Sequence, residues 1–370
     1  MEEQKALIGM SGGVDSSVAA LLTQRSGCGC IGATMRLYQP EDPAPAGSGT
    51  CCALEDEEDA RSVARKLGIP YYVLNFKDPF RETVIDKFVR SYESGLTPSP
   101  CIDCNRYLKF GAFLDRALLL GCRWVVTGHY ARLRREEATG RYLLYKAADR
   151  AKDQTYFLAC LNQHQLSHAR FPLGDLTKEQ VRAIALENGL VNARKHDSQD
   201  ICFVPDGDYP AFLSRYTGKA YPQGDFLNLE GNVVGRHRGA VAYTLGQRKG
   251  LGLAMGAPVY VCGKDMERNT VTVGPNEALY STALRANDWN WLPFPALDAP
   301  MDVTVKVRHS QLEQPGRVYP EDGGYARVEF QSPQRAVTPG QAVVLYQGDL
   351  VIGGGTISQA IGSDQMPTPR

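Results

Sequence analysis

The sequence predicts an α/β chain: an N-terminal doubly wound parallel sheet, a small mixed or β central domain, and a C-terminal antiparallel β-barrel. Short apolar runs alternate with helical stretches from residue 5 to 127, a pattern typical of a parallel sheet with crossover helices. From Tyr209 onward the helical periodicity fades, and short alternating runs between turn residues indicate antiparallel strands and a small barrel. We therefore expect domains at 1–208, 209–274 and 275–361, with a disordered tail at 362–370.

Length and composition fit a folded chain with more than one core. The 370 residues are 43% hydrophobic and 22% charged, which are ordinary values for a globular protein. The net charge of zero neither indicates nor excludes a nucleic-acid partner, because a local basic face is sufficient to bind phosphates. No stretch has the length of a transmembrane helix, and the first strand begins too early for a signal peptide. We expect a cytoplasmic protein without a membrane partner, whose ten cysteines are thiols, metal ligands or catalytic groups rather than a disulfide framework.

Four apolar runs in the first domain predict the parallel strands, and helices separate them. The runs are Lys5–Met10, Cys30–Leu37, Tyr71–Leu74 and Trp124–Thr127, and the helices include Ser16–Arg25 and Glu55–Leu67. Ligands bind at the carboxyl ends of such strands. This rule places the loop after the first strand, Met35 and Gly128 along one edge, where Met35 could pack on an adenine or in the core. His129, at the same edge, fits a structural or a catalytic role.

The loop after the first strand, Gly9–Ser17 (GMSGGVDSS), predicts an anion-binding site. Gly12 and Gly13 allow a tight turn, and the amides at the start of the following helix favour a phosphate. The loop lacks both the G-x-x-x-x-G-K-[ST] pattern of P-loops and the glycine spacing of dinucleotide-binding folds. It resembles instead the pyrophosphate loop (PP-loop) of ATP pyrophosphatases, which have an adenine-nucleotide α-hydrolase-like fold and cleave ATP between its α- and β-phosphates to adenylate an oxygen.

This resemblance implies ATP as the cofactor, with Mg²⁺ to neutralise the charge that develops on the leaving pyrophosphate. Asp15 could hold that ion, or it could cap the helix. The candidate nucleotide-binding residues are Gly9, Met10, Ser11, Gly12, Gly13, Val14, Asp15 and Ser16 of the loop, together with Met35 and Gly128.

A second loop, Thr97–Asn105 (TPSPCIDCN), carries the pair Cys101 and Cys104. Its two prolines predict a non-helical chain before Cys101, and a helix is expected from Asn105 onward. Cys104 would then lie near a helix N-terminus, which stabilises a thiolate. A Cys-x-x-Cys pair alone indicates zinc, redox or iron–sulfur chemistry, and the sequence has no second pair for a zinc held by four cysteines.

Two stretches are candidates for contact with a polyanion. Arg132–Lys152 contains seven Lys or Arg residues and few acids, which fits a solvated face or a phosphate-binding patch equally well. In the second half, Gln247, Arg248 and Lys249 lie in a tight glycine-rich loop and favour contact with an RNA backbone over a merely solvated turn.

Eight motifs, taken together, identify a family. They are SGGVDSS, GATMRLY, TPSPCIDCN, TGHYA, KDQTYFL, DSQDICFVP, AYTLGQRKGLG and RAVTPGQ. In this order and at these intervals they strongly resemble the tRNA-specific 2-thiouridylase family over nearly the whole chain. Members of that family use ATP to convert the C2 carbonyl of the wobble uridine in certain tRNAs to a thiocarbonyl. The resemblance implies that Cys202 carries a persulfide and that Cys104 is the catalytic partner that forms a disulfide with it.

The same resemblance implies a tRNA anticodon arm as one partner and a sulfur donor as the other, either a cysteine desulfurase or a sulfur-relay protein. Chemistry on a base edge requires the base to leave the stack, so part of the tRNA site must face a flipped-out uridine. The candidate tRNA-binding residues are Ser99, Pro100, Cys101, Lys152, Asp153, Gln154, Arg308 and His309.

Cys101 departs from a common form of the family pattern, in which an Asp at this position is a proposed acid–base group. Either the thiol replaces that group poorly, or Cys101, Cys104 and Cys202 together hold a [4Fe–4S] cluster with one open iron site for sulfide. Two rival functions also stay open. A different PP-loop enzyme would need no couple between Cys104 and Cys202, and a non-catalytic tRNA-binding relative would bind without consuming ATP.

Overall fold

The computed structural model describes residues 4–37, 54–196 and 201–362. Two compact units make up the chain: Met1–Ile85 with Pro100–Gly207 and Asp349–Ile352, and Asp86–Ser99 with Asp208–Gly348 and Gly353–Arg370. Residues 363–370 of the tail predicted at 362–370 lie outside the described residues, as do Asp197–Asp200 of the DSQDICFVP motif. The domain boundaries drawn from the sequence stay a prediction.

The first unit is built on a five-stranded parallel sheet. The elements up to residue 187 are, in chain order, β1 (Lys5–Gly9), α1 (Val14–Arg25), β2 (Gly29–Arg36), α2 (Leu54–Leu67), β3 (Tyr71–Asn75), α3 (Lys77–Phe80), a π-helical segment (Arg81–Ile85), α4 (Asp86–Glu93), α5 (Pro100–Asp103), a second π-helical segment (Cys104–Ala112), α6 (Phe113–Leu119), β4 (Trp124–Val126), β5 (Arg132–Arg135), β6 (Tyr142–Tyr145), α7 (Thr155–Leu158), α8 (Gln163–Ser167), β7 (Ala169–Arg170) and α9 (Lys178–Glu187). The strand order is β3-β2-β1-β4-β7, and every neighbouring pair is parallel. Of these elements, α4 belongs to the second unit. The strand order confirms the predicted parallel sheet and adds β7, which is too short to leave a periodic signal in the sequence.

Helices α1, α2 and α9 bury their apolar faces together with the central strands. The core joins Ile8 of β1 and Val126 of β4 to Val18, Val63 and Val181 of the three helices, and all five side chains are at most 3% exposed. Burying one such aliphatic side chain contributes about 1.5–3 kcal/mol. This packing sets α1 and α9 side by side. The start of α9, at Lys178, lies next to the loop that precedes α1, and the two helices end together at Arg25 and Asn188.

The second unit is mainly β. After α10 (Tyr209–Thr217), its strands are β8 (Gly224–Leu227), β9 (Val233–His237), β10 (Tyr260–Asp265), β11 (Thr270–Gly274), β12 (Tyr280–Trp291), β13 (Met301–Lys306), β14 (Gln314–Pro320), β15 (Ala326–Arg335), β16 (Ala342–Gln347) and β17 (Leu350–Ile361). Strands β10-β11-β8-β9 form a mixed sheet, in which β11 and β8 are parallel. Strands β12-β15-β14-β13-β16-β17 follow one another antiparallel, and β12 also pairs with β17, so the barrel closes. Both findings confirm the predicted fold class.

Among the helices of the described ranges, none combines the length and the apolar composition needed to cross a membrane.

Candidate active site

The loop between β1 and α1 is a tight turn whose geometry requires glycine. Gly12 has φ +74°, and a Cβ there would lie 2.6 Å from the Asp56 Cα of α2. Gly13 is the N-cap of α1, so the helix begins at Val14 rather than at Ser16 as predicted. The first amides of a helix have no partner within it, so the loop presents N–H donors at the carboxyl edge of the sheet.

The hydroxyl groups of the loop are bonded inward. Ser16 Oγ and Ser17 Oγ each donate to Gly13 O at 3.0 Å, and Ser11 N donates to Ser16 Oγ at 3.2 Å. These bonds occupy the Gly13 carbonyl and the Ser11 amide, so the donors available to a ligand are the amides at the start of α1.

Asp15 is held by two side chains that are distant in the sequence. Lys178 Nζ of α9 and the Tyr130 hydroxyl donate to Asp15 Oδ1 at 2.7 and 2.8 Å. The Lys178 side chain is 11% exposed, so its ammonium stays beside the loop. The alternative that Asp15 caps α1 is wrong, because Asp15 lies within the first turn and the N-cap is Gly13.

The sequence analysis did not predict a role for Lys178, or for Asn192 and Lys195, which follow α9. All three nevertheless bond to the loop or to α2, which packs against the loop. Asn192 Nδ2 donates to Gly12 O, and Lys195 Nζ lies 2.6 Å from carboxylate oxygens of both Asp56 and Asp59. The capping box of Thr177 is a local pattern that marks the start of α9, and Lys178 is the first residue after it. That pattern predicts the helix but not the contact of Lys178 with Asp15.

Gly128 follows β4 and packs directly on the start of α1. A Cβ on Gly128 would lie 2.6 Å from Asp15 C and Ser16 N. The structure therefore brings Gly128 and the loop together at one edge, and helix packing alone already requires the glycine. Met35, at the end of β2, is half-buried and pairs with Leu74 of β3.

His129 is a buried neutral side chain. Its Nδ1 lies 2.7 Å from Thr127 Oγ1, and its ring contacts Phe110 and Phe171 edge-on or tilted. Burial, and secondarily the charge of Lys109, hold the pKa of His129 well below its ordinary value. A histidine that stays neutral in this way fits the structural role better than the catalytic one.

The helix that carries Cys101 and Cys104 begins at Pro100, earlier than predicted. Helix α5 runs directly into the π-helical segment that starts at Cys104. Thr97–Ser99 are non-helical, as predicted, but the expectation that the helix starts at Asn105 was wrong. Proline is well suited to the first position of a helix, where its missing N–H is not needed. Cys101 is exposed in the first turn, and Cys104 is half-buried at the start of the π-helical segment.

The residues beside Cys104 anchor this helix from behind. Asn105 is 2% exposed, and its Nδ2 donates to Phe157 O at 3.1 Å. Gln165 Nε2 donates to Arg106 O at 2.7 Å. π-helical segments are frequent at functional sites, because they displace side chains from the ordinary helical register.

Cys202 lies in a turn that is anchored by its neighbours. Val204 N donates to Ile201 O at 2.8 Å, and Phe203 and Val204 are 7% and 1% exposed. The Phe203 ring meets Phe80 edge-on at 5.8 Å. Cys202 itself is half-buried, so the packing secures the chain on both sides of a thiol that solvent reaches.

The predicted cluster ligands do not form an assembled metal site. Within residues 4–37, 54–196 and 201–362, no group of three or more His, Cys, Asp or Glu side chains is gathered closely enough to hold a metal ion. Cys101, Cys104 and Cys202 therefore do not fit a [4Fe–4S] cluster in this arrangement.

The candidate tRNA-binding residues have varied surroundings. Asp153 accepts from Ala147 N and from the Thr155 hydroxyl, and Gln154 Oε1 accepts from Tyr130 N, so both hold the chain around them. In the second unit, Arg308 Nη2 donates to Arg335 O at 2.7 Å. Of the basic stretch 132–152, Arg132 and Arg150 both pair with Asp349.

Three family models match the chain in succession. A tRNA methyl transferase HUP domain matches residues 4–206, a tRNA methyl transferase PRC-barrel domain matches 210–275, and an aminomethyltransferase beta-barrel domain matches 281–357.

Curated relatives match over nearly their whole length. The chain is 50% identical over 358 residues to the tRNA-specific 2-thiouridylase MnmA of Acetivibrio thermocellus, with 96% of this chain and 100% of the relative covered. It is 51% identical over 362 residues to the protein of the same name from Symbiobacterium thermophilum, with 97% and 93% covered. It is 50% identical over 357 residues to that of Heliobacterium modesticaldum, with 96% and 92% covered.

Proposed function

Because the chain belongs to the tRNA-specific 2-thiouridylase family, we propose that it uses ATP to replace the C2 oxygen of the wobble uridine in tRNA anticodons with sulfur. It is a tRNA-uridine 2-sulfurtransferase. The observation that carries this proposal is that the PP-loop, Cys104 and Cys202 all belong to one compact unit built on a parallel sheet. Methyl transfer, which the family-model descriptions name, would give neither cysteine a role. With tRNA as substrate, we place the reaction in the cytosol.

The first step is adenylation of the uridine. The C2 oxygen attacks the α-phosphorus of ATP, and pyrophosphate leaves. Gly9–Ser16 would form the phosphate site, with the amides at the start of α1 as donors, and Met35 and Gly128 would lie near the nucleoside. The positive Lys178 ammonium beside Asp15 favours the pyrophosphate charge as it develops. Mg²⁺ bound to the phosphates would supply further neutralisation, and Asp15 is the residue of the loop that would hold it.

The second step transfers sulfur. The terminal sulfur of a persulfide on Cys202 attacks C2, and AMP leaves with the former C2 oxygen. The Cys104 thiolate then attacks Cys202 Sγ, and the bond between Cys202 and the transferred sulfur breaks. Its electron pair stays on that sulfur, which becomes the thiocarbonyl, while Cys104 and Cys202 form a disulfide. An external dithiol reduces the disulfide, and a cysteine desulfurase or sulfur-relay protein reloads Cys202.

The uridine must leave the anticodon stack to reach these groups. Ser99, Pro100 and Cys101 would face the flipped base, because Cys101 is exposed in the first turn of α5. Lys152, Asp153, Gln154, Arg308 and His309 would contact the anticodon arm. Asp153 and Gln154 accept hydrogen bonds from Ala147 N and Tyr130 N, so these bonds would hold the segment that contacts the tRNA in a fixed conformation.

The experiment is nucleoside analysis of tRNA after incubation with the protein, ATP and Mg²⁺, for wild type and for Cys101→Ala, Cys104→Ala and Cys202→Ala. Sulfur is supplied either as sulfide or by a cysteine desulfurase with cysteine. We expect 2-thiouridine with wild type, and loss of product in Cys202→Ala when the desulfurase is the donor. A requirement for all three cysteines even with sulfide would favour the cluster alternative, and absence of 2-thiouridine from wild type in air and without oxygen would refute the function.

A further inference from the structure

Asn192 is a buried side chain that binds the PP-loop from outside it. It lies in the turn after α9 and is 4% exposed. Its Nδ2 donates to Gly12 O at 2.8 Å and to Ser17 Oγ at 2.8 Å. Because a carbonyl oxygen only accepts, the bond to Gly12 O identifies which end of the amide faces the loop.

This contact fixes the direction of the peptide group that joins Gly12 and Gly13. The carbonyl of Gly12 and the N–H of Gly13 belong to one planar trans peptide group and point in opposite directions. When Asn192 holds the carbonyl on the protein side, the Gly13 N–H points away from Asn192. The next carbonyl, Gly13 O, is held in turn by Ser16 Oγ, Ser17 Oγ and Ser17 N.

The oxygen of the Asn192 side-chain amide is in a different situation from its nitrogen. Asn192 Oδ1 is buried and has no hydrogen-bond partner among the residues that the structure describes. A buried polar atom without a partner costs about 1–3 kcal/mol.

We propose that Asn192 is a positioning residue for the nucleotide site: it holds the Gly12 carbonyl so that the Gly13 N–H is directed at the pyrophosphate part of ATP. The inference rests on the proposed function, since it assigns the loop to ATP. Asn192 contacts the loop and not the reacting atoms, so its effect is on phosphate binding.

The test compares Asn192→Ala with Asn188→Ala by calorimetric titration of the full chain with ATP, inorganic pyrophosphate and adenosine. Asn188 ends α9 and bonds to Ile184 O and Arg25, away from the loop, which makes it a matched control. We expect Asn192→Ala to bind ATP and pyrophosphate at least tenfold more weakly and adenosine within twofold of wild type. Asn188→Ala should bind all three as wild type does.

A merely structural role would show as a lower melting temperature with unchanged affinity for pyrophosphate, and that result would overturn the proposal. If Asn192→Ala does not fold, the wild-type amide spectrum decides: pyrophosphate should shift the Gly13 N–H resonance, and an unmoved resonance contradicts the proposal. Absence of ATP binding by wild type would refute the nucleotide site altogether, whereas normal wild-type binding with an unaffected variant refutes only the role of Asn192.

Discussion

In the PP-loop, side chains from distant parts of the unit bond to the loop itself, whereas around Cys104 and Cys202 the neighbouring residues are anchored and the thiols stay partly exposed. Asn192 donates a hydrogen bond to Gly12 O of the loop, and Lys178 forms an ion pair with Asp15. The cysteine segments are secured by Asn105 and Phe203, which lie next to the thiols in the chain.

The difference follows from what each region does in the proposed reaction. A loop that binds a polyanion through its amides must be rigid before the ligand arrives, because each peptide group has to be oriented in advance. A thiol that accepts sulfur and then forms a disulfide must remain accessible and able to move. Substitutions in the loop and its support should therefore change stability, and substitutions of the cysteines should change activity.

Gly12→Ala should have the largest effect on the free energy of unfolding. The new Cβ would combine a left-handed backbone with a clash against Asp56, for a total of about 3 kcal/mol or more. Gly27→Ala is the matched control, because Gly27 has φ +80° and no atom within 4 Å of an added Cβ. It should cost about 1–2 kcal/mol from backbone strain alone. Equal costs in urea unfolding would show that the loop is not tightly packed on α2.

Lys195→Met should destabilise the support of the loop by about 1–2 kcal/mol, because it leaves the buried Asp56 carboxylate without its ammonium partner. Lys66→Met is the control, since Lys66 also joins α2 to the end of α9 but through an exposed bond to Gly189 O. That variant should change stability by less than about 0.5 kcal/mol. Urea unfolding measures the stability of both variants. A Lys66 variant as unstable as the Lys195 variant would contradict the conclusion that the ion pair with the buried Asp56 stabilises the fold.

Acid should destabilise the edge of the sheet through His129. Its pKa in the folded chain is below the value of about 6.5 expected when unfolded, so below that pH only the unfolded chain takes up the proton. The stability is therefore complete above pH 6.5 and falls as the pH decreases, by at most about 1.4 kcal/mol per pH unit.

His129→Gln removes this titration. The loss of stability between pH 7 and 5.5 should then be smaller than in wild type by about 1 kcal/mol. Urea unfolding at the two pH values measures the difference. An unchanged pH dependence would mean that the pKa of His129 is the same in the folded and the unfolded chain.

Cys104→Ser and Cys202→Ser should have the smallest effect on stability, within about 0.5 kcal/mol, because both side chains are only half-buried. Formation of 2-thiouridine with a desulfurase should nevertheless fall by at least about 100-fold, since a hydroxyl at 202 carries no persulfide and one at 104 cannot form the disulfide that releases the transferred sulfur. Cys122→Ser gives the reverse contrast, because Cys122 is 1% exposed and lies outside the site. The Cys122→Ser variant should lose stability and keep its activity per folded molecule. A Cys202 variant that is clearly destabilised would contradict the expected difference between the two regions.

Local patterns were sufficient for much of the fold and for part of the site. The alternating runs before residue 127 predicted the parallel sheet, and the spacing of Gly12, Gly13 and Asp15 predicted the loop. The start of the Cys101 helix was misplaced, because the rule that proline interrupts helices does not hold at the first helical position, where Pro100 lies.

The sequence by itself determined the fold class and the family, since each depends on residues that are close together in the chain or on motifs matched in order. Only the tertiary structure revealed that Lys178, Asn192 and Lys195 support the loop. Lys178 is 163 residues from Asp15, and Asn192 is 180 residues from Gly12. The physical reason is that a hydrogen bond of 2.8 Å depends on how α9 packs beside α1, and no periodicity or spacing in the sequence encodes that packing.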